Sequence, residues 1–310
     1  MEIINNHEPS ERFNPLNDFL FFKVMGERGD EKQLLGFLNA VLGRSGKKPI
    51  ESVKIMENKT FMKDIIDGKS CILDVLAVLH DGTKVNIEVQ LGNQYNMERR
   101  SLFYWSKVYY QSLNEGQNYR ELPNVIAVNI VGYDFPHGGS VHTRFTLRED
   151  SDPSLVLSPA LEIHFVNMIQ WRKQREKDIA SNPLHRWLTW FDEESPPELI
   201  AEVASMDSAI MAASERQDFV IQDEAAFRTY WSRRGAEHDR ISNLDGARRE
   251  GEEIGRQKGQ VIGRQEGQQI GEEKKALEIA RNALAKGATP EFVHDITGLD
   301  MEIIQGLSRT

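Results

Sequence analysis

The sequence predicts a mixed α/β sheet flanked by helices, then a helical extension and a glycine-repeat helical tail. Three observations carry this reading. Residues 72–91 alternate in polarity as a two-stranded hairpin, and a helix with aromatic mass and then a buried strand follow it. From residue 251 onward, glycine recurs every four residues among long side chains. The order strand, hairpin, helix, strand belongs to an α/β sheet.

Asp18 to Met25 reads as a short helix capped by Asn17 or Asp18. Asp30 is expected to cap a second helix running through Leu42, with Leu34, Leu35, Leu38, Val41 and Leu42 as its apolar residues and Gly43 as its stop. Ile50 to Met56 reads as a first strand. In the hairpin, His80-Asp81-Gly82 forms a three-residue loop in which Gly82 supplies the left-handed conformation. That loop sets Leu79 against Thr83, Asp74 against Glu88, and Ile72 against Gln90. One face then carries Asp74, Asn86, Glu88 and Gln90. The other carries Leu73, Val75, Ala77, Leu79, Val85, Ile87, Val89 and Leu91.

Asn96 to Leu113 is expected to be helical. Met97, Leu102, Phe103, Trp105, Val108, Tyr109 and Leu113 give it apolar mass, and Arg99, Arg100 and Lys107 add positive charge. Asn124 to Val131 reads as a buried strand, and Arg144 to Arg148 and Leu161 to Val166 read as edge strands. From Asn182 to Asp245 the pattern is helical and more polar, broken at Pro196-Pro197, and is expected to pack on the sheet domain. The resulting division is 10–170 for the sheet domain, 171–245 for the helical extension, 246–275 for the glycine repeat and 276–310 for a small helical tail.

In the repeat, Gly251, Gly255, Gly259, Gly263, Gly267 and Gly271 accompany Ile254, Ile262 and Ile270. A glycine inside a helix costs about 1 kcal/mol relative to alanine. The segment is therefore either a flexible linker or a helix whose glycine stripe packs on another helix. The isoleucine period favours a self-associating helical stalk, making a homo-oligomer through the C-terminal helix the expected assembly. Ala276 to Lys286 should form a helix stopped at Gly287. Thr289-Pro290 should start the next, and Gly298-Leu299-Asp300 should turn into a third. The tail's acidic residues favour a protein-protein role over DNA reading.

The chain has 310 residues, 48 acidic against 38 basic, and a formal charge of -10. That sign is the wrong one for an obvious nucleic-acid coat and counts mildly against tight nonspecific DNA binding, but it leaves room for a local basic patch. The single cysteine, Cys71, cannot form an intramolecular disulfide, and a reducing cytoplasm is its natural home. Met1 to His7 shows no signal peptide, and no apolar stretch reaches membrane-spanning length, so no membrane partner is expected. The histidines are scattered, which argues against zinc. The glycines of 251–271 follow no strand, so they form no phosphate loop of the nucleotide-binding kinds.

Asp74 and Glu88 pair across the hairpin, where like charges repel. A divalent cation is the simplest reason to keep both ionised, although a solvated sheet face is an equal reading from pairing alone. Gln90, one pair along on the same face, is placed to orient water or phosphate and raises the metal reading. Arg99 and Arg100 at the start of the next helix could face phosphates, with Arg100 the more expected of the two to be merely solvated. Lys23 is a weaker phosphate candidate. Asp18 is a third acid near the first helix, for which a capping role is the stronger reading. Tyr104 and Trp105 read as core rather than as stacking platforms.

Asp74 followed by Glu88-Val89-Gln90 resembles the PD-(D/E)XK nuclease superfamily, with Gln90 where most members have Lys. Asn14 to Phe19, Phe22-Lys23, Phe37 to Leu42, Leu73 to Val75, Val85 to Gln90, Arg99 and Tyr104-Trp105-Ser106 narrow the resemblance to the Rpn family. These are recombination-promoting nucleases also labelled transposases. The resemblance spans about residues 13–135. It implies a restriction-endonuclease-like core and DNA as the substrate of a phosphodiester hydrolase. It also implies Mg²⁺, with Mn²⁺ able to substitute, held by Asp74, Glu88 and a nearby carbonyl such as that of Val89. Gln90 takes the water-activating place, yet Gln accepts no proton near neutral pH, so the metal must activate the water unaided. The family implies a role in DNA recombination, mobility or defence. The alternative is an inactive nuclease fold serving as a DNA- or protein-binding module, oligomerised through the tail.

Overall fold

The computed structural model describes residues 12–43, 48–56, 74–93, 96–134 and 139–307. The expectations placed on Met1 to His7, Cys71, Ile72 and Leu73 lie outside these. The chain divides into two compact units, one ending at Ile241 and the other starting at Ser242.

In the first unit a six-stranded sheet is built from β1 (Val53–Ile55), β2 (Val75–Leu79), β3 (Lys84–Gln90), β4 (Val125–Val131), β5 (His142–Arg148) and β6 (Val156–Asn167). Its order is β1-β2-β3-β4-β6-β5. The β3–β4 and β4–β6 pairs are parallel and the others antiparallel. The hairpin has the register its loop dictates. Val75 pairs with Ile87 and Ala77 with Val85, Gly82 has φ 83°, and Leu79 N–H donates to Thr83 O at 2.8 Å. One residue beyond the Val75–Ile87 pair, Asp74 comes opposite Glu88. Leu161 to Val166 does not form an edge strand. It lies inside the sheet between β4 and β5, because residues 162–167 are buried and need cover on both sides. The half-exposed β5 makes the edge.

The helices of this unit are α1 (Asp18–Met25), α2 (Lys32–Leu42), α3 (Met97–Tyr110), α4 (Met168–Lys173), α5 (Pro183–Phe191), α6 (Pro197–Met206) and α7 (Ser208–Gln222), followed by the start of α8 (Glu224–Ala285). Asn17 caps α1, accepting from Leu20 N–H at 3.3 Å. Asp30 does not cap α2. Glu31 precedes that helix and makes no side-chain cap bond. Val75, Ala77, Val85, Ile87, Val128 and Val166 form one apolar sheet face, in a single core with α1, α2, α5 and α7. Phe37 meets Trp187 at 5.7 Å and Phe191 at 5.2 Å, edge to face. The closeness of α2 and α7 requires Gly36, since a Cβ there would lie 2.3 Å from that of Ala209. The opposite face lies under α3, where Val108 packs on Leu76 and Val125.

In the second unit α8 continues as one helix through all six glycines of the repeat. A Cβ at any of them would meet nothing within 4 Å. Ile254, Val261, Ile262 and Ile270 are exposed beside them. The end of α8 packs with α9 (Pro290–Thr297) and α10 (Met301–Leu307) around Ala280, Val293, Leu299 and Ile304. Gly287 at φ 85° and Gly298 at φ 67° make the turns, and Thr289 caps α9. No helix among the described residues is long and apolar enough to cross a membrane.

Candidate active site

The hairpin ends in two acids, each held by a backbone N–H of the opposite strand. Asp74 Oδ2 accepts from Val89 N–H at 2.7 Å, and the backbone N–H of Asp74 reaches the Glu88 carboxylate. The face that carries them is not open to solvent. Asn86 is 1 % exposed, Glu88 4 % and Gln90 8 %. The cause is Leu76, which shares that face and draws α3 down with Tyr104, Trp105 and Tyr109 around it. Two carboxylates therefore stand in a low-dielectric setting beside each other.

Both hold protons unusually tightly for that reason. Burial pushes Asp74 up to about 6, and the charge of Asp18 adds to the rise. The Val89 N–H bond and the Arg100 charge oppose it. Glu88 is pushed well above the ordinary carboxylate range by burial and then by Asp74. The Asn86 amide, 3.3 Å from Glu88 Oε1, and Arg100 pull the other way.

These acids open onto a cleft of about 310 Å³, lined also by Asn17, Asp18, Gln90, Arg100, Arg233, Ala236, Glu237 and Arg240. Asp18 is thus a wall of the cleft rather than the cap of α1, and its carboxylate lies 3.6 Å from Arg233. Arg240 Nε bonds Glu237 Oε2 at 2.7 Å. The α8 segment presses on the turn after β3, where a Cβ on Gly92 would lie 2.6 Å from Arg240 Nη2. Sequence reasoning missed Arg233, Glu237 and Arg240. Their spacing puts them on one helix face, but nothing local to α8 tells that this face returns to the hairpin.

Among the expected cations, Arg100 alone lines the cleft. Its Nη1 donates to Gln90 Oε1 at 2.6 Å and its Nη2 to Tyr104 OH at 3.1 Å. Gln90 Nε2 in turn donates to Gly92 O at 2.8 Å. Arg99, its neighbour on α3, is exposed and lies outside the lining. The preference for Arg99 over Arg100 is therefore reversed, because Tyr104 one turn on and Gln90 below both face residue 100. Lys23 pairs with Glu27, also away from the lining. Trp105 stacks on Tyr109 at 4.9 Å and donates to Val125 O, which makes it core.

The donor set suits a hard divalent cation. Asp74 and Glu88 are oxygen ligands in need of positive charge. In a strand, a residue's C=O projects to the same edge as its N–H, so the Val89 carbonyl points to the edge where its N–H meets Asp74. Among the described residues, no three His, Cys, Asp or Glu side chains converge to hold a metal. Two carboxylates with water and phosphate completing the shell is the arrangement Mg²⁺ favours.

A family model described as PD-(D/E)XK nuclease family transposase matches residues 15–247. Comparison with the curated proteins and with the solved structures finds no match.

Proposed function

The chain belongs to the PD-(D/E)XK nuclease family transposases, and from that premise we propose that it is a Mg²⁺-dependent DNA endonuclease of the Rpn type, acting in the cytoplasm in DNA recombination, mobility or defence. The observation that carries the reading is the pairing of half-buried Asp74 with buried Glu88 in the lining of one cleft. Asp74, Glu88 and the Val89 carbonyl would hold Mg²⁺, and Mn²⁺ would substitute. When bound, the ion polarises the phosphate and lowers the pKa of the attacking water.

The chain's own residues do the rest. Val89 N–H fixes the Asp74 carboxylate, and Asn86 steadies Glu88. Helix α3 covers the neighbouring part of that sheet face, packing on Leu76 and Val125. Gln90 accepts no proton near neutral pH, so the residues of the third place supply orientation rather than a base. DNA binding is local, because the net charge is -10, and Arg100, Arg233 and Arg240 are the cations at the cleft. Lys23 and Arg99, paired or solvated outside it, contribute at most to distant phosphates.

We also propose self-association through the exposed glycine stripe of α8. Purified protein should cut duplex DNA with Mg²⁺ and not with EDTA. Metal-independent cutting would defeat the reading. A second reading, an inactive fold that binds DNA or protein, draws on the Gln90 amide, which is engaged at both ends. It predicts Mg²⁺ binding or DNA binding without cleavage.

A further inference from the structure

We propose that Arg100 is the group that meets the scissile phosphate, and that Gln90 is a positioning residue acting through it. This deepens the nuclease reading and rests on it. The argument begins at Gln90. Its carbonyl oxygen accepts from Arg100 Nη1 at 2.6 Å, and its amide nitrogen donates to Gly92 O at 2.8 Å. Both ends are thus committed to holding other groups, and neither offers a base.

Arg100 is correspondingly fixed. It sits in the first turn of α3, where its guanidinium is held by Gln90 and by the Tyr104 hydroxyl at 3.1 Å, and lies 5.4 Å from the centre of the Tyr104 ring. The groups at these two bonds, an amide and a hydroxyl, orient the cation. It lines the same cleft as Asp74 and Glu88, where a phosphate drawn to a metal on that pair would lie, and its charge opposes the rise in both acids' pKa. A planar fork of donors suits two phosphate oxygens better than an ammonium would.

The other cations at the cleft are placed differently. Arg240 is bonded through two nitrogens to Glu237. Arg233 is largely exposed and stands 3.6 Å from Asp18. They suit contacts along the DNA backbone rather than at the reacting phosphate.

A rival account makes Arg100 only a counter-charge for the buried acids. A double-mutant cycle on the full chain separates the two. Wild type, Arg100→Ala, Gln90→Ala and the double variant would be compared in saturating Mg²⁺ on duplex DNA, alongside duplex affinity against salt. Arg100→Ala should lower kcat about 100-fold, as loss of one oriented donor does, and reduce the salt slope by about one phosphate contact. Gln90→Ala should lower kcat roughly 10-fold with the salt slope unchanged, since the charge stays but its aim is lost. The double variant should be no slower than Arg100→Ala.

Arg100→Lys should recover the salt slope and affinity while kcat stays low. It also takes over the test should Arg100→Ala not fold. Independent multiplication of the two effects would overturn the positioning role. An Arg100→Ala or Arg100→Lys chain with wild-type kcat would overturn the whole inference while leaving the nuclease reading standing. A wild-type chain that does not cut DNA would remove both.

Discussion

Glu88 and Glu162 are buried to similar depth, 4 % and 8 % exposed, on opposite faces of one sheet, yet they meet opposite surroundings. Glu162 Oε1 lies 2.7 Å from His164 Nε2 and 3.3 Å from Arg144 Nε, and His164 Nδ1 is bonded to His142 Nε2 at 2.8 Å. Cation and imidazole together balance that carboxylate. Glu88 faces Asp74 instead, with the Asn86 amide, the charge of Arg100 and the Asp74 backbone N–H for help. Removing a buried carboxylate from water costs several kcal/mol unless partners replace the water. At Glu162 the fold supplies them. At Glu88 it leaves a deficit that a ligand's charge would fill, which marks a candidate site on physical grounds.

The contrast breaks most sharply under substitution. Asp74→Ala should reduce DNA cleavage on the order of 10³-fold or more without lowering thermal stability, because it relieves Glu88 of a like charge. Steady-state cleavage and a melting curve on the same sample check both halves. Glu162→Ala should do the reverse. It strands Arg144 and His164 and costs about 2 kcal/mol, read by urea denaturation, while cleavage persists at the wild-type rate.

Acidity sharpens the comparison. The folded-state pKa of Asp74, about 6, lies above its ordinary 3.8, and Glu88 is shifted in the same direction. The metal-free fold therefore binds these protons more tightly than the unfolded chain does. The stability this confers is present at low pH and is lost as pH rises from about 4 through 6 and beyond. Mg²⁺ should accordingly raise the melting temperature more at pH 8 than at pH 5. An equal rise at both values would argue that the ion binds elsewhere.

A smaller effect is expected on α8, where open space faces Gly259 and Gly263. Alanine at each should strengthen an isolated helix by about 1 kcal/mol. If the stripe is where two chains meet, the added methyls should instead weaken self-association, seen as a lower mass by sedimentation. Unchanged mass together with higher helicity would dismiss the stripe as an interface.

Much of this was legible in the sequence because it depended on local geometry. The loop ending in Gly82 sets the register, and the register brings Asp74 to Glu88 whatever else the chain does. Asn17, Gly287 and Gly298 likewise act over a few residues. The rest depended on long-range packing. The acid-bearing face is buried because Leu76 and Val125 recruit α3, a contact that polarity alternation alone does not reveal. Arg99 and Arg100 are sequence neighbours about 100° apart on a helix, and only the position of Tyr104 over Gln90 selects the second. The inner place of β6 and the return of Arg233, Glu237 and Arg240 to the hairpin come from connections well over a hundred residues long in part. The Glu162–His164–His142 chain was invisible because β5 and β6 were read as separate edges.

The most direct test is nicking of supercoiled plasmid with Mg²⁺ by wild type, Asp74→Ala and Glu162→Ala, each with an EDTA control. Metal-dependent nicking that is lost in Asp74→Ala and kept in Glu162→Ala is the predicted result. Nicking by a well-folded Asp74→Ala chain at the wild-type rate would contradict it.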